Sequence, residues 1–228
     1  MRRVVAAVLV AALVLTAGAI VFSVLAGGDD EPRSEAAAPA GGPPYRTVFV
    51  GDSITLGVSP ETFGPDDAFS WVTYAVSSRS PWELQARAAV FGRTLGEMLM
   101  GFQTEVLALE PEAVVIMGGT NDTLRGVPVE ESVAALRAMV EEAQDAEARV
   151  WVVSPPPLDP SYGRDPDPLL EAEAALAEEL DVPYLDVRDD LADPDGTWQD
   201  GLSSDGVHPS EEGARRIADL VLAAVEAQ

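Results

Sequence analysis

Five short apolar runs recur along the chain: Thr47–Val50, Gln85–Val90, Ala113–Met117, Arg149–Val153 and Pro183–Val187. Short runs of this kind, most of them rich in valine and isoleucine, read as strands buried on both faces of a parallel sheet. Between them lie stretches with apolar residues at helical spacing. Asp66–Val76 carries Phe69, Val72 and Val76; Thr94–Leu109 carries Leu95, Met98, Leu99, Phe102, Val106 and Leu109. Val129–Ala146 carries Val133, Leu136, Met139 and Val140. Pro168–Leu180 opens on a proline, as a first helical turn tolerates, and Ser210–Ala227 opens on a serine suited to an N-cap. Strand–helix alternation predicts an α/β fold, a five-stranded parallel sheet with helices on both faces. Functional groups in such sheets gather just beyond the carboxyl ends of the strands.

The N-terminus is different in kind. Arg2 and Arg3 precede 23 residues without a charge, Val4 to Ala26. A helix of that length spans a bilayer core of about 30 Å at about 1.5 Å per residue. Val24-Leu25-Ala26 also offers small residues for a signal peptidase. The segment 1–26 is therefore read as a hydrophobic helix that is either a retained single-pass membrane anchor or a cleaved signal peptide. Both readings keep the arginines inside and place the rest outside the cytoplasm, secreted or anchored to the outer face of the membrane. Residues 27–44, with four glycines and four prolines, read as a flexible linker. Residues 45–228 make one domain with one sizeable core.

Composition narrows the chemistry. The 228 residues carry 39 acidic and 14 basic side chains, a formal charge of -25. That balance argues against nucleic acid as a partner, because phosphate needs a basic face. No cysteine is present, which excludes disulfides, thiol nucleophiles and cysteine-ligated metals. His208 is the sole histidine and Asn121 the sole asparagine. One histidine cannot build a multi-histidine metal site, and no metal or other cofactor is called for.

Four motifs stand immediately after apolar runs or before the last helix: Gly51-Asp52-Ser53-Ile54-Thr55, Phe91-Gly92-Arg93-Thr94, Gly119-Thr120-Asn121-Asp122 and Asp205-Gly206-Val207-His208. Together they offer the parts of an acyl-transfer site. A serine hydroxyl is a weak nucleophile and needs a general base. Histidine titrates near pH 6.5 in unperturbed peptides, so His208 is the side chain for that task. A base of this kind needs an orienting carboxylate, and Asp205 lies three residues upstream, within reach in a tight turn. The tetrahedral intermediate needs oxyanion donors, which the Ser53 and Gly92 N–H groups and the Asn121 amide can supply. Gly96 is a second candidate glycine, although it falls inside a helix pattern.

The set resembles the SGNH hydrolases, the GDSL-type esterases and lipases, whose four blocks are named for serine, glycine, asparagine and histidine. The similarity runs from Val48 to Val225. It implies a flavodoxin-like three-layer α/β/α sandwich, a Ser53–His208–Asp205 catalytic triad, and an oxyanion hole of Ser53, Gly92 and Asn121. Ile54 stands where leucine is commoner in the first block. The implied activity is an extracytoplasmic serine esterase acting on acyl esters of sugars or lipids. Two rivals stay open: a cell-surface O-acyltransferase using the same triad, and a non-catalytic, membrane-tethered binding module.

Other residues have two readings each. Asp52 and Asp122 suit turn stabilisation better than catalysis. Arg125 is a candidate substrate contact or a surface arginine. Trp82, Trp198 and Tyr162 either line a pocket or pack in the core. The proline-rich stretch Ser154–Pro168 is placed to shape the acyl side of the site.

Overall fold

A computed structural model describes residues 44–76 and 80–227. The hydrophobic segment at 4–26, and the linker up to residue 43, lie outside the described residues. No helix among the described residues is long and apolar enough to cross a membrane.

The strands are β1 (Tyr45–Gly51), β2 (Trp82–Ala89), β3 (Ala113–Met117), β4 (Arg149–Val153) and β5 (Tyr184–Leu185). They form one parallel sheet in the order β2-β1-β3-β4-β5. This is the flavodoxin-like winding, and its topological switch point lies between β1 and β3. The helices are α1 (Ser53–Leu56), α2 (Trp71–Ala75), α3 (Leu95–Glu105), α4 (Thr120–Arg125), α5 (Val129–Asp145), α6 (Asp167–Glu179) and α7 (Glu211–Glu226).

Successive strand side chains point to opposite faces, and two cores result. Val48, Val50, Val114, Ile116, Val150 and Val152 face α3, α5 and α6, meeting Leu95, Phe102, Met139 and Leu176. Phe49, Val115, Met117, Trp151 and Val153 face α2 and α7, meeting Trp71, Val72, Ile217 and Val221. Both sheet faces are thus covered, which completes the three layers.

Of the two readings open for Trp82 and Trp198, core packing is the one observed; the Trp82 ring packs edge-on against Phe49 and Trp151. Other sequence expectations need correction. The helix predicted over Asp66–Val76 divides into a 3-10 turn, Asp67–Phe69, and α2. Ser70 between them is extended, and its hydroxyl donates to the Thr55 carbonyl instead of continuing the helix. The strand predicted over Pro183–Val187 pairs only at Tyr184 and Leu185. Beyond Leu185 the Val187 N–H donates to the Ser154 hydroxyl, so a side chain ends the ladder. β2 is one of the two edge strands, and its middle residues are half-buried rather than enclosed.

Candidate active site

Ser53 is delivered by the turn between β1 and α1. Gly51 must be glycine, because a Cβ there would stand 2.2 Å from Thr55 Oγ1 and 2.9 Å from the Met117 carbonyl. Asp52 caps α1, accepting from the Ile54 N–H at 2.9 Å. Its other oxygen accepts from the Asn121 amide at 2.9 Å. Burial pushes the Asp52 carboxyl up to about 6, against the pull of the Ile54 hydrogen bond and the charge of His208. Asp52 thereby ties the first motif to the third, across the switch point of the sheet.

His208 comes from the loop before α7. Its Nε2 lies 3.0 Å from Ser53 Oγ, and its Nδ1 lies 2.8 Å from Asp205 Oδ2. The Val207 and His208 N–H groups donate to Asp205 Oδ1 at 2.9 and 2.8 Å. Burial opposes ionisation of Asp205, but the hydrogen bonds from the His208 ring and from the His208 and Val207 backbone outweigh it. They hold the carboxyl down to about 2. An ionised carboxylate only accepts, so Nδ1 carries the proton and the Nε2 lone pair faces the serine hydroxyl. Gly206 is at φ 76°, and a Cβ there would meet Asp159 Cβ at 2.5 Å.

The stretch after β4 supports this turn. The Asp159 N–H donates to the Gly206 carbonyl, and the Tyr162 hydroxyl donates to the Asp205 carbonyl at 2.9 Å. Tyr162 therefore braces the aspartate loop. Two exposed rings flank His208: Phe91 near-parallel at 6.1 Å and Phe63 edge-on at 6.3 Å.

Gly92 follows β2 at φ 76°, while Gly96 lies inside α3. The Asn121 amide donates both to Asp52 and, at 3.1 Å, to the Arg93 carbonyl. It sits between the first two motifs. Asp122 is buried and accepts from the Leu95 N–H and the Ser132 hydroxyl, joining α4 to α3 and α5. Asp52 stabilises its own turn, as expected, and also joins two motifs; Asp122 lies in α4 and bonds to other elements instead of stabilising a turn. Arg125 donates to both Glu97 oxygens and to the Gly92 carbonyl. A cavity of about 490 Å³ opens beside Gly92, with Phe91, Arg93, Glu97, Met100, Glu105 and Arg125 among its walls. Among the described residues no group of three acidic or histidine side chains is placed to hold a metal ion.

Sequence reasoning missed Phe63, Phe91 and Glu97. Thr94-x-x-Glu97 is a capping-box pattern, and both of its reciprocal bonds form. Nothing local in the sequence signals that the same carboxylate also reaches Arg125 on α4.

The sheet order gives the α/β fold, and the family match places the protein among the ester-hydrolysing enzymes. The chain belongs to the GDSL-like Lipase/Acylhydrolase family, whose model matches residues 49–216. Its fold is shared with a G-D-S-L family protein from Desulfitobacterium hafniense, 27% identical, with 78% of this chain and 98% of that one covered at a TM-score of 0.69. A GDSL-like lipase from Bacteroides thetaiotaomicron is 23% identical over 80% of this chain and 89% of the other, TM-score 0.63. A variant of an acetyl-xylooligosaccharide esterase from Geobacillus Stearmophilus is 22% identical over 81% and 95%, TM-score 0.63. No curated protein matches the chain by sequence.

Proposed function

We propose that the protein is an extracytoplasmic serine esterase that removes short acyl groups from polyhydroxylated alcohols, with Ser53, His208 and Asp205 as its catalytic triad. The observation that carries this reading is the continuous polar chain Ser53 Oγ–His208 Nε2 at 3.0 Å and His208 Nδ1–Asp205 Oδ2 at 2.8 Å. Ser53 attacks the ester carbonyl while His208 Nε2 takes its proton. Asp205, ionised and fixed by two backbone N–H groups, stabilises the imidazolium. The N–H groups of Ser53 and Gly92 serve the oxyanion, and the Asn121 amide joins them by giving up its longer bond, to the Arg93 carbonyl, while keeping the one to Asp52. His208 then protonates the leaving alcohol, and water repeats the cycle on the acyl-enzyme.

The substrate class is read from the cavity beside Gly92, which adjoins the triad through Phe91 and has neither Ser53 nor His208 in its walls. Its walls set the Arg93–Glu105 ion pair beside the exposed Phe91 ring. Charged pairs beside an aromatic face suit a hydroxyl-rich leaving group better than an alkyl chain. The acetyl-xylooligosaccharide esterase that shares the fold acts on such an ester, which supports the choice. The extracytoplasmic location is supported by Arg2, Arg3 and the uncharged Val4–Ala26 stretch.

Ser53→Ala is expected to abolish release of acetate from acetylated oligosaccharides and of p-nitrophenol from p-nitrophenyl acetate. The wild type is expected to prefer acetyl to long-chain esters. Full activity in the variant would overturn the mechanism, and a preference for long acyl chains would overturn the substrate class.

A further inference from the structure

Gly92 and the residues that follow it are held by side chains of α4. Its carbonyl accepts from Arg125, and the next carbonyl, of Arg93, accepts from Asn121. Asn121 and Arg125 are four residues apart on α4, which puts them on one face of that helix. Asp122, on the same helix, takes the Leu95 N–H. One short helix thus grips three consecutive peptide groups of the loop entering α3. The fit is close: a Cβ on Gly92 would stand 3.3 Å from Arg125 Nη2.

Arg125 is itself fixed. Its Nη1 donates to both oxygens of Glu97, at 3.2 and 3.1 Å. Glu97 in turn accepts from the Thr94 N–H at 2.9 Å, closing the capping box of α3. The guanidinium is therefore committed to protein acceptors on two of its edges. A fork-shaped donor held this way fixes direction as well as distance.

We infer that Arg125, held by Glu97, is a positioning residue for the oxyanion hole: by holding the Gly92 carbonyl it anchors the Gly92 Cα, the pivot of the adjoining Phe91–Gly92 peptide, and so limits the turning of the Gly92 N–H away from the substrate oxygen. The inference rests on the proposed role of Gly92 as an oxyanion donor. It differs from both readings the sequence left open for Arg125, a substrate contact and a surface arginine. Preorganised donors act through orientation, and a loop glycine free to turn about its left-handed φ loses that orientation.

The test compares Arg125→Met, Arg125→Ala, Arg125→Lys and Glu97→Gln with the wild-type full chain on p-nitrophenyl acetate. Losing the brace is expected to lower kcat of Arg125→Met by about 10- to 100-fold, with KM within about 2-fold. Arg125→Lys is expected to keep part of the lost rate, and added guanidinium to restore part of it in Arg125→Ala. A rise in KM at unchanged kcat would assign Arg125 to substrate and overturn the inference. A lost kcat that guanidinium leaves unrestored in folded Arg125→Ala would also overturn it. Should the Arg125 truncations fail to fold, Arg125→Lys and Glu97→Gln decide: a lower kcat at constant KM supports the brace, and unchanged kcat in both refutes it. Ser53→Ala run in parallel separates the two layers. An active Ser53→Ala sinks the proposed ester mechanism. An inactive Ser53→Ala beside fully active Arg125 variants sinks the brace alone.

Discussion

Asp205 accepts two backbone hydrogen bonds at Oδ1 and one from the His208 ring at Oδ2, and the Ser203 hydroxyl lies 3.4 Å from Oδ1. Folding lowers its pKa to about 2 despite partial burial. A lowered carboxyl pKa adds stability that is present above the unfolded value near 4 and is lost as pH falls towards 2. Asp52 has the opposite sign. Its pKa is raised to about 6 by burial, so its contribution is fully present below about 4 and is lost as pH rises through 6. Asp205→Asn keeps a carbonyl oxygen for the two backbone donors but turns an amide NH2 towards Nδ1. The imidazole then takes the wrong tautomer for Ser53. We expect kcat at neutral pH to fall by up to about 10⁴-fold with the fold retained, read from ester turnover and thermal unfolding. The variant should also lose the part of the acid unfolding transition between about pH 4 and 2. A variant with wild-type kcat would contradict the role given to Asp205.

Among the elements, the strands were the most legible in sequence, because β3 and β4 are continuous valine-rich runs enclosed by two layers. The helix α5 was legible too, since Leu136, Met139 and Val140 repeat at helical spacing. The two short helices that carry the site, α1 and α4, were not. α1 is four residues long and is set by the Asp52 cap rather than by periodicity. α4 lies between Gly119 and Gly126, both in left-handed conformation, and its polar residues bond to α3, to α5 and to the loop entering α3. Ser53, His208, Asp205, Asn121 and Gly92 were legible as motif residues, whereas Arg125, Glu97 and Phe91 gain their roles only from tertiary contacts. α6 supplies another group with no sequence signal. Glu173 is buried beneath the third motif, and a Cβ on Gly119 would stand 2.8 Å from its Oε1. Neither carboxyl oxygen has a hydrogen-bond partner, and burial, with the nearby Asp122 charge, raises its pKa well above the ordinary value. Its contribution is therefore present below the unfolded value and is lost as pH rises through the folded one. Glu173→Met is expected to raise Tm, by the equivalent of about 1–4 kcal/mol at alkaline pH and by less near pH 5. A uniform fall in Tm would show that the carboxyl is structurally required.

At the scale of the molecule, the sheet brings residues 155 positions apart to within a hydrogen bond, Ser53 after β1 and His208 before α7. Of the 39 acidic residues, 35 lie in residues 45–228, so the negative charge belongs to the domain that carries the site. Such a surface favours solubility and disfavours anionic partners. It agrees with a neutral, hydroxyl-rich ester as substrate. Two cores on opposite faces fix the sheet, and the sheet's carboxyl edge fixes the site. The central claim is that Ser53 is a nucleophile activated by His208. A fluorophosphonate probe tests it most directly, by forming a covalent adduct with an activated serine that mass spectrometry can place. The expected result is one probe per chain, on Ser53, with labelling lost in His208→Ala. No adduct on the folded protein, or an adduct on another serine, would contradict the account.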